Sequence, residues 1–174
     1  MKKLLTPTWT INSIYAIKPD DLLRHDIKAI ICDLDNTLIA WNQWEHTEEM
    51  AEWLTRFKDA GIGIYLLSNN NYDRVLKVAE PLELRFTSSA LKPRRKHFVL
   101  AIEDLQVPDE NVAVIGDQVM TDVIGANRNH LKSILVKPIA PNDNIFTIIN
   151  RMLEKIAFKI VGIDRTGDWG NTLE

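Results

Sequence analysis

The chain has one cysteine, Cys32, so no internal disulfide can form. Lying in an apolar run, that thiol reads as inert packing and fits a reducing compartment. No excess of positive charge exists: 21 Lys and Arg stand against 24 Asp and Glu, a net charge of −3, which removes any global case for nucleic-acid binding. No apolar stretch approaches the ~20 residues of a membrane span. The opening MKKLLTPTWT has two lysines but no run suited to a signal peptide. Glycine and proline number seven each, too few for a low-complexity tract. No repeat and no long linker divides the 174 residues, which suggests one domain over 1–160 with a motif core at 28–136. Residues 161–174 are glycine-containing and polar and read as a flexible tail.

What is present alternates. Short apolar runs at 28–33, 62–67, near 84–87, 111–115 and 132–136 have the length of buried strands. Helical patterns at 47–60, 71–79, 94–105, 121–129 and 143–157 separate or follow them, and a short helix starting at Pro19 precedes them. In 47–60, Thr47 is the cap, Met50, Trp53, Leu54 and Phe57 form the apolar face, and Gly61 is the stop. In 143–157 the expected apolar face is Ile145, Ile148, Ile149, Met152 and Leu153. Gly125 and Ala126 allow close packing. Alternation of this kind predicts an α/β fold, a central parallel sheet covered on both faces.

The stretch AIICDLDNTLI, residues 29–39, concentrates the chemistry. Two carboxylates, Asp33 and Asp35, end an apolar strand, where unpaired charge is expensive. In open α/β sheets the carboxyl ends of the strands are also where ligands bind. Other strand ends add Thr37, Ser68, Asn69, Gly116, Asp117 and Asp122, and Lys92 precedes a helix. Grouped carboxylates are hard oxygen ligands suited to Mg²⁺. A hydroxyl, an amide and an ammonium around them suit a phosphoryl group. Asp122 could also cap the following helix, Asn70, Asn71 and Asp73 read as turn and capping residues, and Thr37 could either hold the loop or touch phosphate.

The ordered set DLDNT, LLSNN, LKP and IGDQVMTD resembles the four motifs of the haloacid dehalogenase superfamily of phosphatases. The leader through NSIYAI, the DNTL core and the length resemble its subclass IIIA, YqeG-type group, related to phosphatidylglycerophosphate phosphatases. The resemblance implies a three-layer Rossmann-like fold and a Mg²⁺-dependent phosphomonoesterase. Asp33 would be the nucleophile and Asp35 the general acid and base. Thr37, Ser68, Asn69 and Lys92 would bind phosphate. Asp33, Asp35 through its carbonyl, Asp117 and Asp122 would serve the metal.

Cap domains of that superfamily need long insertions. Nine residues separate Thr37 from the helix at 47, and about twenty separate Asn70 from Lys92. A capless, open site is expected, suited to a large or surface-bound phosphate ester such as a phospholipid, in a cytoplasmic protein peripheral to the inner face of the membrane. Trp41 and Trp44 are either core under the helix at 47–60 or contacts to lipid or a partner. Arg94, Arg95, Lys96 and His97 are either an exposed helix start or a cationic collar. Two other functions fit the same residues: an adaptor acting by protein docking, and a phosphotransferase.

Overall fold

A computed structural model describes residues 2–140 and 147–174, and of 147–151 the backbone only. Its elements are α1 (Lys2–Leu5), β1 (Trp9–Ile11), α2 (Pro19–Arg24), β2 (Ala29–Cys32), α3 (Glu48–Asp59), β3 (Gly63–Leu67), α4 (Tyr72–Ala79), β4 (Arg85–Thr87), α5 (Arg95–Leu105), β5 (Val112–Gly116), α6 (Ile124–Arg128), β6 (Lys132–Val136) and α7 (Thr147–Val161). The six strands form one sheet in the order β1-β6-β5-β2-β3-β4, and every pairing is parallel. This is the α/β fold expected.

β2 lies between β5 and β3, with Cys32 level with Ile115 on one side and Leu66 on the other. The chain runs outward through β3 and β4, then crosses back to β5. Such a reversal of winding leaves a crevice at the carboxyl ends of the strands. Period-2 alternation sends Ile30 and Cys32 to one face, with Met50, Trp53 and Phe57 of α3 and Val75 and Val78 of α4. Ala29 and Ile31 go to the other, with Phe98, Ala101 and Leu105 of α5 and Ala126 of α6. The Cys32 thiol is fully buried, and burial pushes its pKa up, so it is inert packing.

Thr47 caps α3 by accepting from the Met50 N–H at 3.1 Å. Gly125 is required by packing, since a Cβ there would come within 2.2 Å of the Phe98 ring.

Four features depart from expectation. The leading segment contributes β1, an edge strand paired with β6; three residues are too short to show a period. The helix expected over 121–129 is a π-helical turn at Val119–Val123 followed by α6. Of the helix expected over 143–157, residues 143–146 lie outside the described residues, as do the side chains of Ile145, Ile148 and Ile149. Met152 and Leu153 of that helix are exposed, while Glu154, Ala157 and Phe158 face inward. The helix is apolar on two sides, so its pattern did not single out the docked one.

The fourth is the tail. Leu173 sits in the core cluster with 3% exposure, Trp169 packs on Phe158 with ring centres 6.0 Å apart, and the Asn12 amide donates to Asp168 at 2.6 Å. Polar composition hid these contacts, because they are made with residues more than 150 positions away in the case of Asn12. No separate cap stands over the crevice among the described residues. Between β2 and α3 there is a turn with one isolated bridge, Asp35 to Ile39. Between β3 and β4 there are only α4 and a short 3₁₀ turn.

Candidate active site

At the carboxyl end of β2 the Asp33 N–H still donates to Ile115 O at 2.9 Å, so Asp33 leaves the sheet beside the end of β5. The chain then turns through Asn36 at φ +64°, a left-handed conformation that Asn tolerates better than most residues. The Asn36 N–H donates to Ile39 O at 2.6 Å, and its Oδ1 accepts from the Trp41 N–H at 3.2 Å. Across this turn Asp33 is buried and Asp35 is half-buried.

An open cavity of about 430 Å³ lies at this rim. Asp33, Asp35, Ser68, Asn69, Asn70 and Lys92 line it, with Gln118 and Thr121 on the remaining wall. Lys92 Nζ, almost fully buried, donates to Asp33 Oδ1 at 2.6 Å and to Asp122 Oδ1 at 2.7 Å. Lys92 is held in place by Asn69, whose Oδ1 accepts from the Lys92 N–H at 2.7 Å. The peptide bond between Lys92 and Pro93 is cis. Ser68 Oγ accepts from the Asn70 N–H at 3.1 Å.

Thr37, assigned to phosphate by resemblance, does not line the cavity. It is buried and donates to Asp33 Oδ2 at 3.4 Å, so any influence on phosphate passes through Asp33. Asp122 is no helix cap at 121; it lies inside the π-helical turn and its Oδ2 accepts from the Gln118 N–H at 3.2 Å. Gly116 makes room for it, because a Cβ at that position would come within 2.2 Å of the Asp122 carboxyl. Asn71 caps α4, accepting from the Arg74 N–H at 2.9 Å. Arg94, Arg95 and Lys96 are exposed, none lines the cavity, and Arg95 and Lys96 open α5. Trp44 is 53% exposed and lies over the Arg74 guanidinium, outside the core.

Asp33, Asp117 and Asp122 bring carboxylate oxygens within 4.8 Å of one another. Burial, then the neighbouring charges of Asp122 and Asp35, push Asp33 up to about 7 against the pull of Lys92. Asp117 is raised well above its ordinary value by burial first and by Asp33 and Asp122 next. Burial alone would lower Lys92, but Asp122 and Asp33 beside it win and hold it above its ordinary value. Asp117 Oδ1 is buried with no hydrogen-bond partner among the described residues. Three carboxylates facing one ammonium, one of them with an orphaned oxygen, leave the site short of positive charge. Hard oxygen donors in that state fit a divalent cation such as Mg²⁺.

Three participants were not read from the sequence. Asn70 Nδ2 donates to Asp35 Oδ2 at 3.0 Å. Arg74 pairs with Asp35 at 2.8 Å. Glu154 of α7 accepts from the N–H groups of Val119 and Met120 at 3.2 and 2.8 Å, bracing the loop that carries Asp122. Arg74 and Glu154 had one available signal: each is a charge that precedes the inward-facing apolar positions of its helix, Val75 and Val78 after Arg74 and Ala157 and Phe158 after Glu154.

The family model for haloacid dehalogenase-like hydrolases matches residues 39–130, a span that takes in Ser68, Lys92, Asp117 and Asp122. The chain belongs to that family. This hydrolase is 40% identical over 155 residues to the probable phosphatase YqeG of Bacillus subtilis (strain 168), covering 89% of this chain and 90% of that one. Its fold is similar to that of the cobalt-bound deoxy-D-mannose-octulosonate 8-phosphate phosphatase YrbI of Haemophilus influenzae, at a TM-score of 0.54 and 16% identity, covering 82% of this chain and 92% of that one. An uncharacterized protein of Listeria monocytogenes serotype 4b gives a TM-score of 0.53 at 16% identity, over 76% of this chain and 99% of that one.

Proposed function

We propose that this hydrolase is a Mg²⁺-dependent phosphatase that cleaves a phosphate monoester through an aspartyl-phosphate on Asp33. A phosphoric monoester hydrolase is what the family and the Bacillus relative support. The observation that carries the mechanism is the pairing of Asp33 with Lys92 at 2.6 Å inside a cavity that also holds Asp35. Asp33 attacks phosphorus as the ester oxygen departs, and Asp35 delivers a proton to that oxygen. Asp35 then takes a proton from water as the water attacks phosphorus and frees Asp33. Lys92 and Ser68 neutralise and orient the phosphoryl oxygens. Asp33, Asp117, Asp122 and the Asp35 carbonyl would hold or support the cation, which supplies charge neutralisation at the transferring group.

The substrate we favour is a phospholipid monoester such as phosphatidylglycerophosphate, taken from a membrane surface. Three observations support it. The cavity has no cap among the described residues. Trp44, Tyr72, Leu91 and Ile139, on loops or helix starts beyond four different strands, are exposed large apolar side chains. Met152, Ile156 and Ile160 form an outward apolar row on α7 beside the exposed Lys155 and Lys159, a composition suited to an anionic interface. Among the described residues no helix is long and apolar enough to cross a membrane, so contact would be peripheral.

The chemistry is tested with Asp33→Asn on an aryl phosphate in Mg²⁺: phosphate release should be abolished, and unchanged turnover by the purified variant refutes the mechanism. The substrate is tested by comparing phosphatidylglycerophosphate in anionic vesicles with soluble glycerol phosphate. Equal kcat/KM for the two would remove the lipid.

A further inference from the structure

Arg74 is 2% exposed, in a helix whose Val75, Val78 and Ala79 are also buried. An arginine out of water must have its donors met. Its Nε and Nη2 both donate to Asp35 Oδ1, at 3.1 and 2.8 Å. Nη2 also donates to Ala40 O at 3.3 Å, and Nη1 donates to Gln43 O. The Trp44 ring covers the guanidinium at 5.2 Å from its centroid. One buried cation therefore binds a carboxylate at the cavity and the loop that follows it.

The two oxygens of Asp35 are not equivalent. Oδ1 is held by a fork with fixed geometry that does not line the cavity. Oδ2 accepts from Asn70, which is half-buried and does line it. A substrate oxygen or a water can displace the Asn70 amide, but not the fork.

We propose that Arg74 is the positioning residue for proton transfer at Asp35, anchoring Oδ1 so that Oδ2 faces the reacting oxygen in both half-reactions. The proposal rests on the acid and base role of Asp35 given above. In the first half, the bond from phosphorus to the leaving oxygen breaks, the bond to Asp33 forms, and a proton passes from Asp35 Oδ2 to the leaving oxygen. In the second, water oxygen bonds to phosphorus, the bond to Asp33 breaks, and a proton of that water passes to Oδ2. The same oxygen serves twice from the same place, which requires that the carboxylate plane does not turn between steps. Through Ala40 and Gln43 the same guanidinium also holds the loop whose Trp44 ring covers it.

Proton donation matters in proportion to the basicity of the leaving oxygen, and positioned acids contribute about 10²–10⁴-fold. Arg74→Met should therefore slow phosphoryl transfer to Asp33 from an alkyl phosphate by about 100-fold or more, and from 4-nitrophenyl phosphate by less than about 10-fold. Both are read in single turnover, by acid-quenched phosphoenzyme and by the nitrophenolate burst. The Mg²⁺ concentration for half-maximal rate should move by less than about 2-fold, because Arg74 holds the side-chain carboxylate of Asp35 and not the carbonyl that would face the cation, and it pairs with none of Asp33, Asp117 or Asp122 among the described residues. Equal slowing of both substrates would mean a packing defect and would overturn the proposal, as would no change in either. If Arg74→Met does not fold, Arg74→Lys, which keeps the charge but not the fork, faces the same comparison and the same two refuting outcomes. Failure here is separable from failure of the mechanism: the latter shows as full turnover by Asp33→Asn, the former as equal slowing in an enzyme that still depends on Asp33.

Discussion

Lys92→Met tests the charge balance of the site. The lysine Nζ is 2.6 Å from Asp33 and 2.7 Å from Asp122, and both partners are buried. At an effective dielectric of 20 each contact is worth roughly 6 kcal/mol before desolvation is subtracted. Removing one partner of a buried pair typically costs about 3–5 kcal/mol, because the other charge is stranded. The stranded carboxylates can escape by taking up protons, so the loss depends on pH. Asp33 sits near 7 instead of 3.8 even with the lysine present. Between those values the native state binds more protons than the unfolded chain, so the metal-free protein loses stability as pH rises through that window. Without Lys92 the fall should be steeper and should extend to higher pH. A chain of this size loses about 2–4 °C of Tm per kcal/mol. In EDTA at pH 8, Lys92→Met should melt roughly 10 °C below wild type, and at pH 5 by less than about half of that. Scanning calorimetry at the two pH values decides it. An unchanged Tm at pH 8, or an equal drop at both, would refute the assignment of Lys92 as counter-ion of the carboxylate cluster.

Further outcomes follow from the same geometry. Gly116→Ala forces a Cβ to within 2.2 Å of the Asp122 carboxyl; overpacking there should cost about 1–3 kcal/mol in urea melts and displace Asp122 from Lys92, lowering kcat. Mg²⁺ should raise the Tm more at pH 8 than at pH 5, since protons compete for the raised carboxyls of Asp33 and Asp117; Asp117→Asn should shrink that difference, leaving the share due to Asp33, in the same calorimetric scan. Glu154 is raised by burial, so its native pKa exceeds the unfolded value and its contribution is lost as pH rises through the native value. Glu154→Gln, which does not ionise, should be near wild type in acid and gain on wild type as pH rises, as read by denaturant midpoints; a variant that loses ground with rising pH would contradict this.

Much of the fold was legible because its signals are local. Strand-length apolar runs alternate with helical periods, and Thr47 with Gly61 brackets α3 by chemistry confined to a few residues. β1 escaped because three residues carry no period, and it exists only through pairing with β6. The docked face of α7 escaped because Met152 and Ile156 are as apolar as Ala157 and Phe158. In the site, Asp33, Asp35, Lys92 and Asp117 stand in contiguous motifs. Arg74 does not, since its meaning depends on a carboxylate 39 positions earlier.

The sequence by itself determined the alternation of elements and the residue types at the strand ends. Both follow from hydrophobic period and from the cost of placing carboxylates beside a buried strand. Tertiary structure alone decided how those groups are partnered. The level pairing of Cys32 with Ile115 and Leu66 brings three strand ends into one rim. There Lys92 is shared between Asp33 and Asp122, Arg74 takes Asp35, Thr37 donates to Asp33, and Asp117 keeps an oxygen without a hydrogen-bond partner among the described residues. A side chain has a limited number of donors and acceptors, and which are used depends on distances of a few ångströms that the order of residues along the chain does not contain.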